Sequence, residues 1–307
     1  MDLLVTPEGL GRREGDEVAV LDLPHRDVGE LVADTGSLTA AAGARVIRRL
    51  PAAEALASAL PPLPAPGTIW GVGMNYRSKA RLTGREVPAE PILYVVARSS
   101  VAGPNGLLPH PSGITEQLDA EAEIAVVVGR RLHRASEAEV WDAVAGVTAG
   151  NDLTARDVMK ATGTPALAKS FPGCTPLGTS VLDARSLADP GAIGVRGSVN
   201  GVRHQDDTSA DMIWSIAELL ARISWYAVLE PGDVFLSGTP AGTGQDRGSY
   251  LVPGDVVTVE VDGVAPLTTT VTAPIRRPRP LCGSVAGAHR EPASGGGQRG
   301  PSRVPAH

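Results

Sequence analysis

Between Ile69 and about Val271 the chain repeatedly gives short apolar runs bounded by Gly and Pro: PILYVVA, EIAVVVG, GVRGSVNG, GDVFLSG and GDVVTVEVDG. Runs of this length, rich in β-branched residues and closed by turn formers, predict the strands of a sheet-rich domain. Two longer segments break the pattern. In the first, Ser136 stands three positions before Glu139 at the head of EVWDAVAGV, a capping-box spacing that predicts a helix start. In the second, ADMIWSIAELLARISWYA, residues Met212, Ile213, Ile216, Leu219, Leu220 and Ile223 recur at helical spacing and predict one face packed on the sheet. Upstream, VAVLDL, VIRRL and the Ala-rich AAEALASAL stop at the proline-rich PPLPAPG, so residues 1–65 are expected to form a small N-terminal domain ahead of a main domain over 66–275. Residues 276–307 lack apolar periodicity, and a disordered Arg-, Gly- and Pro-rich tail is expected there.

Composition sharpens this picture at three points. The 36 Gly and 26 Pro imply many turns and argue against long helical bundles. The formal charge is −6, but the tail carries six Arg and one Glu, +5, which leaves −11 on the body and speaks against a nucleic-acid partner. Cys174 and Cys282 have neither a CxxC nor a Cys/His spacing, so neither a disulfide framework nor a zinc site is expected. The start, MDLLVTPEGLGRREGDEV, has acidic residues where a signal peptide needs a basic head and an apolar run. With no stretch long enough to span a bilayer, a cytoplasmic protein without membrane partners is expected.

The chemistry concentrates in LDAEAEIAVVVG, where Glu121 and Glu123 are separated by one residue just before an apolar strand. On a strand, positions i and i+2 share a face, which places both carboxylates on one side, about 7 Å apart along the backbone. Like charges this close call either for a solvated strand end or for a cation between them. A second acidic cluster, GNDLTARD, puts Asp152 in a polar turn followed by Arg156 and Asp157; turn chemistry alone also accounts for an Asp there. Three carboxylates from two segments make an oxygen-rich site suited to Mg²⁺ or Mn²⁺, with Ca²⁺ as a further option, and unsuited to zinc.

Several motifs occur in one order: GVGMNY (71–76), AEAEIAVVVG (120–129), NDLTARD (151–157), Lys169-Ser170-Phe171 before Pro176-Leu177-Gly178, VNG (199–201) and LEPGDVFLSGTPAGTG (229–244). Over about residues 69–262 this combination resembles the fumarylacetoacetate hydrolase family. The resemblance implies an α+β fold: a mixed β-sandwich or β-roll catalytic domain with few helices, here preceded by the small N-terminal domain. It also implies a homodimer and a Mg²⁺ or Mn²⁺ ion held by Glu121, Glu123 and Asp152. Lys169 matches a lysine that meets a substrate carboxylate or oxo group, although a surface lysine is the plainer reading of it. Thr239 matches a substrate-contacting threonine, with Gly238 beside it and Tyr76 of GVGMNY as further candidate substrate contacts. Arg156 is the expected charge partner of the ligands.

The pattern also breaks. Where many members carry a histidine and, three residues later, a glutamate that together activate water, this chain has Lys79 and Leu82. Val96 and Pro172 stand where a lysine and an aspartate are common, which suggests a rebuilt, less charged substrate pocket. Lys79, if desolvated, is a candidate replacement base; if solvated, it is an ordinary surface lysine. The implied function is a metal-dependent hydrolase, lyase or isomerase acting on a small-molecule 2-oxo acid or 1,3-dicarbonyl compound through a metal-stabilised enolate, by C–C hydrolysis, decarboxylation or tautomerisation. The alternative is an enzyme recruited to a biosynthetic pathway for non-hydrolytic cyclisation, dehydration or isomerisation. A third reading keeps the fold as a non-catalytic binding protein. A dinucleotide site at GVG is excluded, because the third glycine and following helix are missing.

Overall fold

The strand Ala122–Val128 is buried along its whole length and organises the fold around it. Its alternate side chains enter two different cores. Ala122, Ile124 and Val126 join one cluster, while Ala125 and Val127 join another with Leu3, Val5 and Leu236. A strand buried on both faces loses the polar alternation of a half-exposed one, which is why EIAVVVG reads as a continuous apolar run. The computed structural model describes residues 1–84 and 86–275. The expected tail and Cys282 lie outside the described residues.

A ten-stranded sheet carries this strand. Its order is Val46–Pro51, Glu17–Leu21, Gly9–Glu14, Asp2–Thr6, Ser180–Asp183, Val144–Asn151, Ala122–Val128, Val234–Leu236, Ile69–Gly73 and Ile92–Val96. Every neighbouring pair is antiparallel except Val234–Leu236 with Ile69–Gly73, which run parallel. A second, five-stranded sheet is built from Val202–Thr208, Gly194–Val199, Val256–Val261, Leu267–Thr272 and Gly106–Pro109. Val195, Val259 and Leu267 of that sheet share a core with Ile124 and Val126 of the first. The fold is thus mixed α+β and dominated by sheet, with eight α-helices among the described residues.

The first 65 residues do not stand apart as the hinge motif suggested. Asp2–Thr6 pairs with Ser180–Asp183, so the N-terminal strands continue the main sheet, and Met1–Ile275 is one compact unit. The physical reason is the apolar face of Leu3, Val5 and Leu10, which is buried against Ala125 and Leu236 in a shared core. The two predicted helices exist in shortened form. Glu137–Ala143 ends where Val144–Asn151 begins as a strand, so the AVAGV portion of the first segment belongs mainly to the sheet. In the second, the helix is Ile216–Tyr226: the Ser215 hydroxyl caps it by accepting from the Glu218 N–H, and Met212 instead bridges to Tyr76 in extended conformation. Among the described residues no helix is long and apolar enough to cross a membrane.

Candidate metal centre

Strand register assembles the acidic groups. Ala122 lies opposite Asn151 across an antiparallel pair, so the residues just outside that pair, Glu121 and Asp152, become neighbours. The Asp152 N–H donates to the Glu121 carbonyl (3.0 Å), which closes the end of the ladder. Glu123 lies two residues inside the strand end, on the face shared with Glu121. The three carboxylates are buried and present ligand atoms within 4.8 Å of one another.

Each is oriented by specific partners. Arg156, which opens the helix Arg156–Thr162, donates through Nη2 to Glu121 Oε1 and through Nε to Asp119 Oδ2 (2.8 Å). Lys169, just after the helix Pro165–Ala168, donates from Nζ to Glu121 Oε2 (2.6 Å), Asp152 Oδ2 (2.5 Å) and Thr154 Oγ1 (2.8 Å). The Tyr94 hydroxyl donates to Asp152 Oδ2 (2.7 Å), and the Gly238 N–H donates to Glu123 Oε2 (2.8 Å). Gly71 makes the Tyr94 contact possible: a Cβ there would lie 2.4 Å from the Tyr94 ring. Gly238 has φ +89°, and a Cβ would lie 2.9 Å from that of Asn75, so only glycine presents this N–H without strain.

The electrostatics leave a deficit of positive charge. Among the described residues, Asp119, Glu121 and Asp152 pair with Arg156 and Lys169 and Glu123 makes no ion pair, so with all four carboxylates ionised this group carries a formal charge of −2; Lys79, also nearby, is paired with Asp246. Burial opposes ionisation of Glu121, but Arg156 and Lys169 outweigh it and hold this carboxyl well below the usual range. Burial, reinforced by Asp152 and Glu121, drives the Glu123 carboxyl well above it. Burial likewise raises Asp152, against the pull of Lys169. Lys169 is held as an ammonium because Asp152 and Glu121 overcome its own desolvation. Asp152 Oδ1 is buried and has no hydrogen-bond partner. An orphaned carboxylate oxygen, an all-oxygen donor set and a −2 imbalance together fit a hard divalent cation.

The centre forms one wall of a cavity of about 760 Å³ lined by Glu121, Glu123, Lys169, Arg156, Lys79 and Thr239, with Val72, Ile92 and Met159 supplying apolar surface. Thr239 Oγ1 donates to the Ala122 carbonyl (2.9 Å) and accepts from Gln205 Nε2 (2.8 Å), so its proton is already engaged. Tyr76 is elsewhere: it is fully buried in the apolar core with Met212 and Trp214, and it does not line the cavity. Gly238 also stays out of the lining and acts through its N–H on Glu123. Lys79 is neither solvated nor free, since its Nζ donates to Asp246 Oδ2 and to Thr243 Oγ1, each at 2.7 Å. Leu82 points outward and is 59% exposed.

The two substitutions read as removing pocket charge do not do so. Val96 packs in the core beneath the N-terminal strands, Pro172 lies at the surface, and neither lines the cavity, whose wall still holds Lys79, Arg156, Lys160 and Lys169 beside Glu121 and Glu123. Sequence reasoning missed Tyr94, Asp119 and Asp246. Asp119 was within reach, because it continues the alternate-residue spacing of Glu121 and Glu123 by two positions, although it lies on the separate short strand Leu118–Asp119 paired with Thr154–Ala155. Nothing local marks Asp246, whose partner Lys79 is 167 positions away.

This combination of fold and site, a carboxylate trio at a strand end beside a cavity, defines an α+β protein with a candidate metal site and a pocket of substrate size. A family model described as fumarylacetoacetate (FAA) hydrolase C-terminal matches residues 68–272. The chain belongs to the fumarylacetoacetate hydrolase family of enzymes. It is similar to the 4-hydroxyphenylacetate degradation bifunctional isomerase/decarboxylase of Escherichia coli, with 37% identity over 215 residues, 69% of this chain and 49% of that protein. The chain therefore spans about half the length of that curated relative. Among solved structures, fumarylacetoacetate hydrolase from Exiguobacterium antarcticum superposes with TM-score 0.75 at 25% identity, covering 88% of this chain and 98% of that one. The 2-hydroxyhepta-2,4-diene-1,7-dioate isomerase of Mycobacterium marinum gives TM-score 0.70 at 26% identity, covering 90% of this chain and 100% of that one.

Proposed function

We propose that this chain is a divalent-cation-dependent isomerase or decarboxylase acting on a small 2-oxo or 2-hydroxy carboxylic acid. The observation that carries this is the buried Glu121–Glu123–Asp152 cluster, with its orphaned Asp152 Oδ1 and unbalanced charge, beside a cavity that Glu121 and Glu123 line. When bound by these three residues, Mg²⁺ or Mn²⁺ supplies an electrophile for negative charge developing on substrate oxygen. The protein's own groups do the rest. Arg156 and Tyr94 fix Glu121 and Asp152, and the Gly238 N–H fixes Glu123. Lys169 Nζ keeps its proton and, with its three donors engaged by Glu121, Asp152 and Thr154, sets a fixed positive charge in the cavity wall that favours a substrate carboxylate or oxo group nearby. Val72, Ile92 and Met159 give the cavity an apolar side.

Isomerisation or decarboxylation is favoured over C–C hydrolysis by the helix Arg77–Thr83. The position of the water-activating histidine holds Lys79, already bonded to Asp246, and the position of its glutamate holds the outward-facing Leu82. The same observation admits a recruited non-hydrolytic cyclase or dehydratase as second reading. The test uses metal-stripped protein resupplied with Mg²⁺ or Mn²⁺, 2-hydroxyhepta-2,4-diene-1,7-dioate, oxaloacetate and acetylpyruvate as substrates, and Glu123→Ala as control. Metal-dependent isomerisation or CO₂ release that Glu123→Ala abolishes is expected. Metal-dependent acetylpyruvate cleavage alone would make the chain a hydrolase, and absence of metal binding would end the proposal.

A further inference from the structure

The helix Arg77–Thr83 is tied down at two points. Its first turn is held by the Asp211–Trp214 segment: the Ser78 N–H donates to Asp211 Oδ2 (2.6 Å) and the Arg77 guanidinium donates to the Met212 carbonyl. On the other side Lys79 ties it to the Gly242–Asp246 turn through Asp246 and Thr243, beside a long bond from the Ala241 N–H to Ser78 Oγ (3.4 Å), while Arg81 adds an exposed contact to Asp211 (3.2 Å). Asp246 Oδ2 also accepts from the N–H groups of Gly242 (2.9 Å) and Thr243 (3.0 Å), so one carboxylate oxygen gathers both the turn and the lysine. On its other side the same turn is bound by Asp119, whose Oδ1 accepts from the Gly244 N–H (2.6 Å) and whose Oδ2 accepts from the Gln245 N–H (3.0 Å) and from Arg156 Nε (2.8 Å). Arg156 in turn grips Glu121. An unbroken run of charge-assisted hydrogen bonds therefore leads from Lys79 through the turn to a metal-centre carboxylate.

We propose that Lys79 is a positioning residue: with Asp246 it fastens the helix Arg77–Thr83 to the Gly242–Asp246 turn and, through Asp119 and Arg156, sets the orientation of Glu121. Its place in the cavity wall would equally suit a proton acceptor, but its bonding does not. An ammonium that already donates to a carboxylate and a hydroxyl has no lone pair to offer. Both side chains are buried, at 8% and 2% exposure, so the pair is shielded from the screening that weakens surface ion pairs. The link to Glu121 rests on the reading of that residue as a metal ligand; the fastening of helix to turn does not.

The test compares Lys79→Met, Asp246→Asn, the double variant and Lys79→Arg with the parent protein. It follows amide hydrogen exchange of residues 77–83 and 242–246 without metal, Mn²⁺ affinity by calorimetry, and the pH profile of turnover. Each single variant is expected to speed exchange in both segments by about tenfold or more and to weaken Mn²⁺ binding severalfold. The double variant is expected to be no worse than either single, since both remove one interaction. Lys79→Arg, which keeps the charge, is expected to restore much of the protection. Parent-like exchange and Mn²⁺ binding in Lys79→Met, with turnover lost along with one limb of the pH profile, would make Lys79 a base and overturn the proposal. If Lys79→Met fails to fold, the double variant, which buries no unpaired charge, carries the comparison. If the parent binds no Mn²⁺, the functional reading fails, while the exchange data still decide whether the pair fastens helix to turn.

Discussion

Lys169→Met tests the charge balance of the centre most directly. Lys169 Nζ lies 2.6 Å from Glu121 Oε2 and 2.5 Å from Asp152 Oδ2, with a side chain 4% exposed. Methionine has a similar length and keeps the packing, so the loss is electrostatic: two buried carboxylates lose a shared counter-ion. Removing one partner of a buried ion pair costs about 3–5 kcal/mol, and for a chain of this size each kcal/mol lowers Tm by about 2–4 °C. A cation bound in the same cluster should offset part of this, since a ligand at 100 times its Kd adds about 2.7 kcal/mol. The assay is urea unfolding in chelator and again in excess Mn²⁺. The midpoint should fall in chelator with little change in slope, and a fixed Mn²⁺ concentration should stabilise the variant more than the parent. A variant as stable as the parent in chelator would refute the role of Lys169 as internal counter-ion. Equal Mn²⁺ stabilisation of both proteins would refute the idea that lysine and cation share one electrostatic task.

Gly238→Ala should cost about 1–3 kcal/mol for a left-handed alanine, and the displaced N–H should loosen Glu123; calorimetry should show weaker Mn²⁺ binding. Acid should erode the Lys79–Asp246 tie. Burial works against ionisation of Asp246, but its bonds from Lys79, Gly242 and Thr243 hold the carboxyl below the ordinary aspartate value. A depressed folded pKa contributes stability above the unfolded value, near 4 (about 3.9), that is lost as pH falls through the folded one. The stability gap between parent and Asp246→Asn should therefore narrow below about pH 4, and a pH-independent gap would contradict it. A chain beginning at residue 66 should fail to give a cooperative thermal transition, because Leu3, Val5 and Leu10 fill the core beneath Ala125 and Leu236. A sharp transition near that of the full chain would show that the N-terminal strands are dispensable.

What the sequence made legible is local. The Glu121/Glu123 spacing is a strand property, and its pairing with Asp152 follows from two consecutive strands joined in register. The apolar runs became strands for the same reason. What stayed hidden depends on distant partners. A lysine such as Lys79 looks like any surface lysine until the turn carrying Asp246 is folded against it, and Tyr94 is one aromatic residue in a strand until Gly71 leaves room for its ring. The N-terminal segment misled because a proline-rich stretch marks a linker and a surface loop alike. Only the apolar face of Leu3 and Val5 distinguishes them, and it needs its counterpart in Ala125 to be read.

The parallel pairing of Ile69–Gly73 with Val234–Leu236 joins segments 165 residues apart, and both strands lead directly into cavity-side residues, Met74 on one and Thr239 on the other. Closing so long a loop costs conformational entropy that later contacts must repay. During synthesis, then, Glu121, Glu123 and Asp152 emerge well before Gly238, whose N–H orients Glu123. The carboxylates of Glu121, Glu123 and Asp152 are thus brought together by two strands that are consecutive in the sheet, while the N–H that orients Glu123 follows a strand made much later in the chain, so the cluster takes its final geometry only when Val234–Leu236 has joined its neighbours.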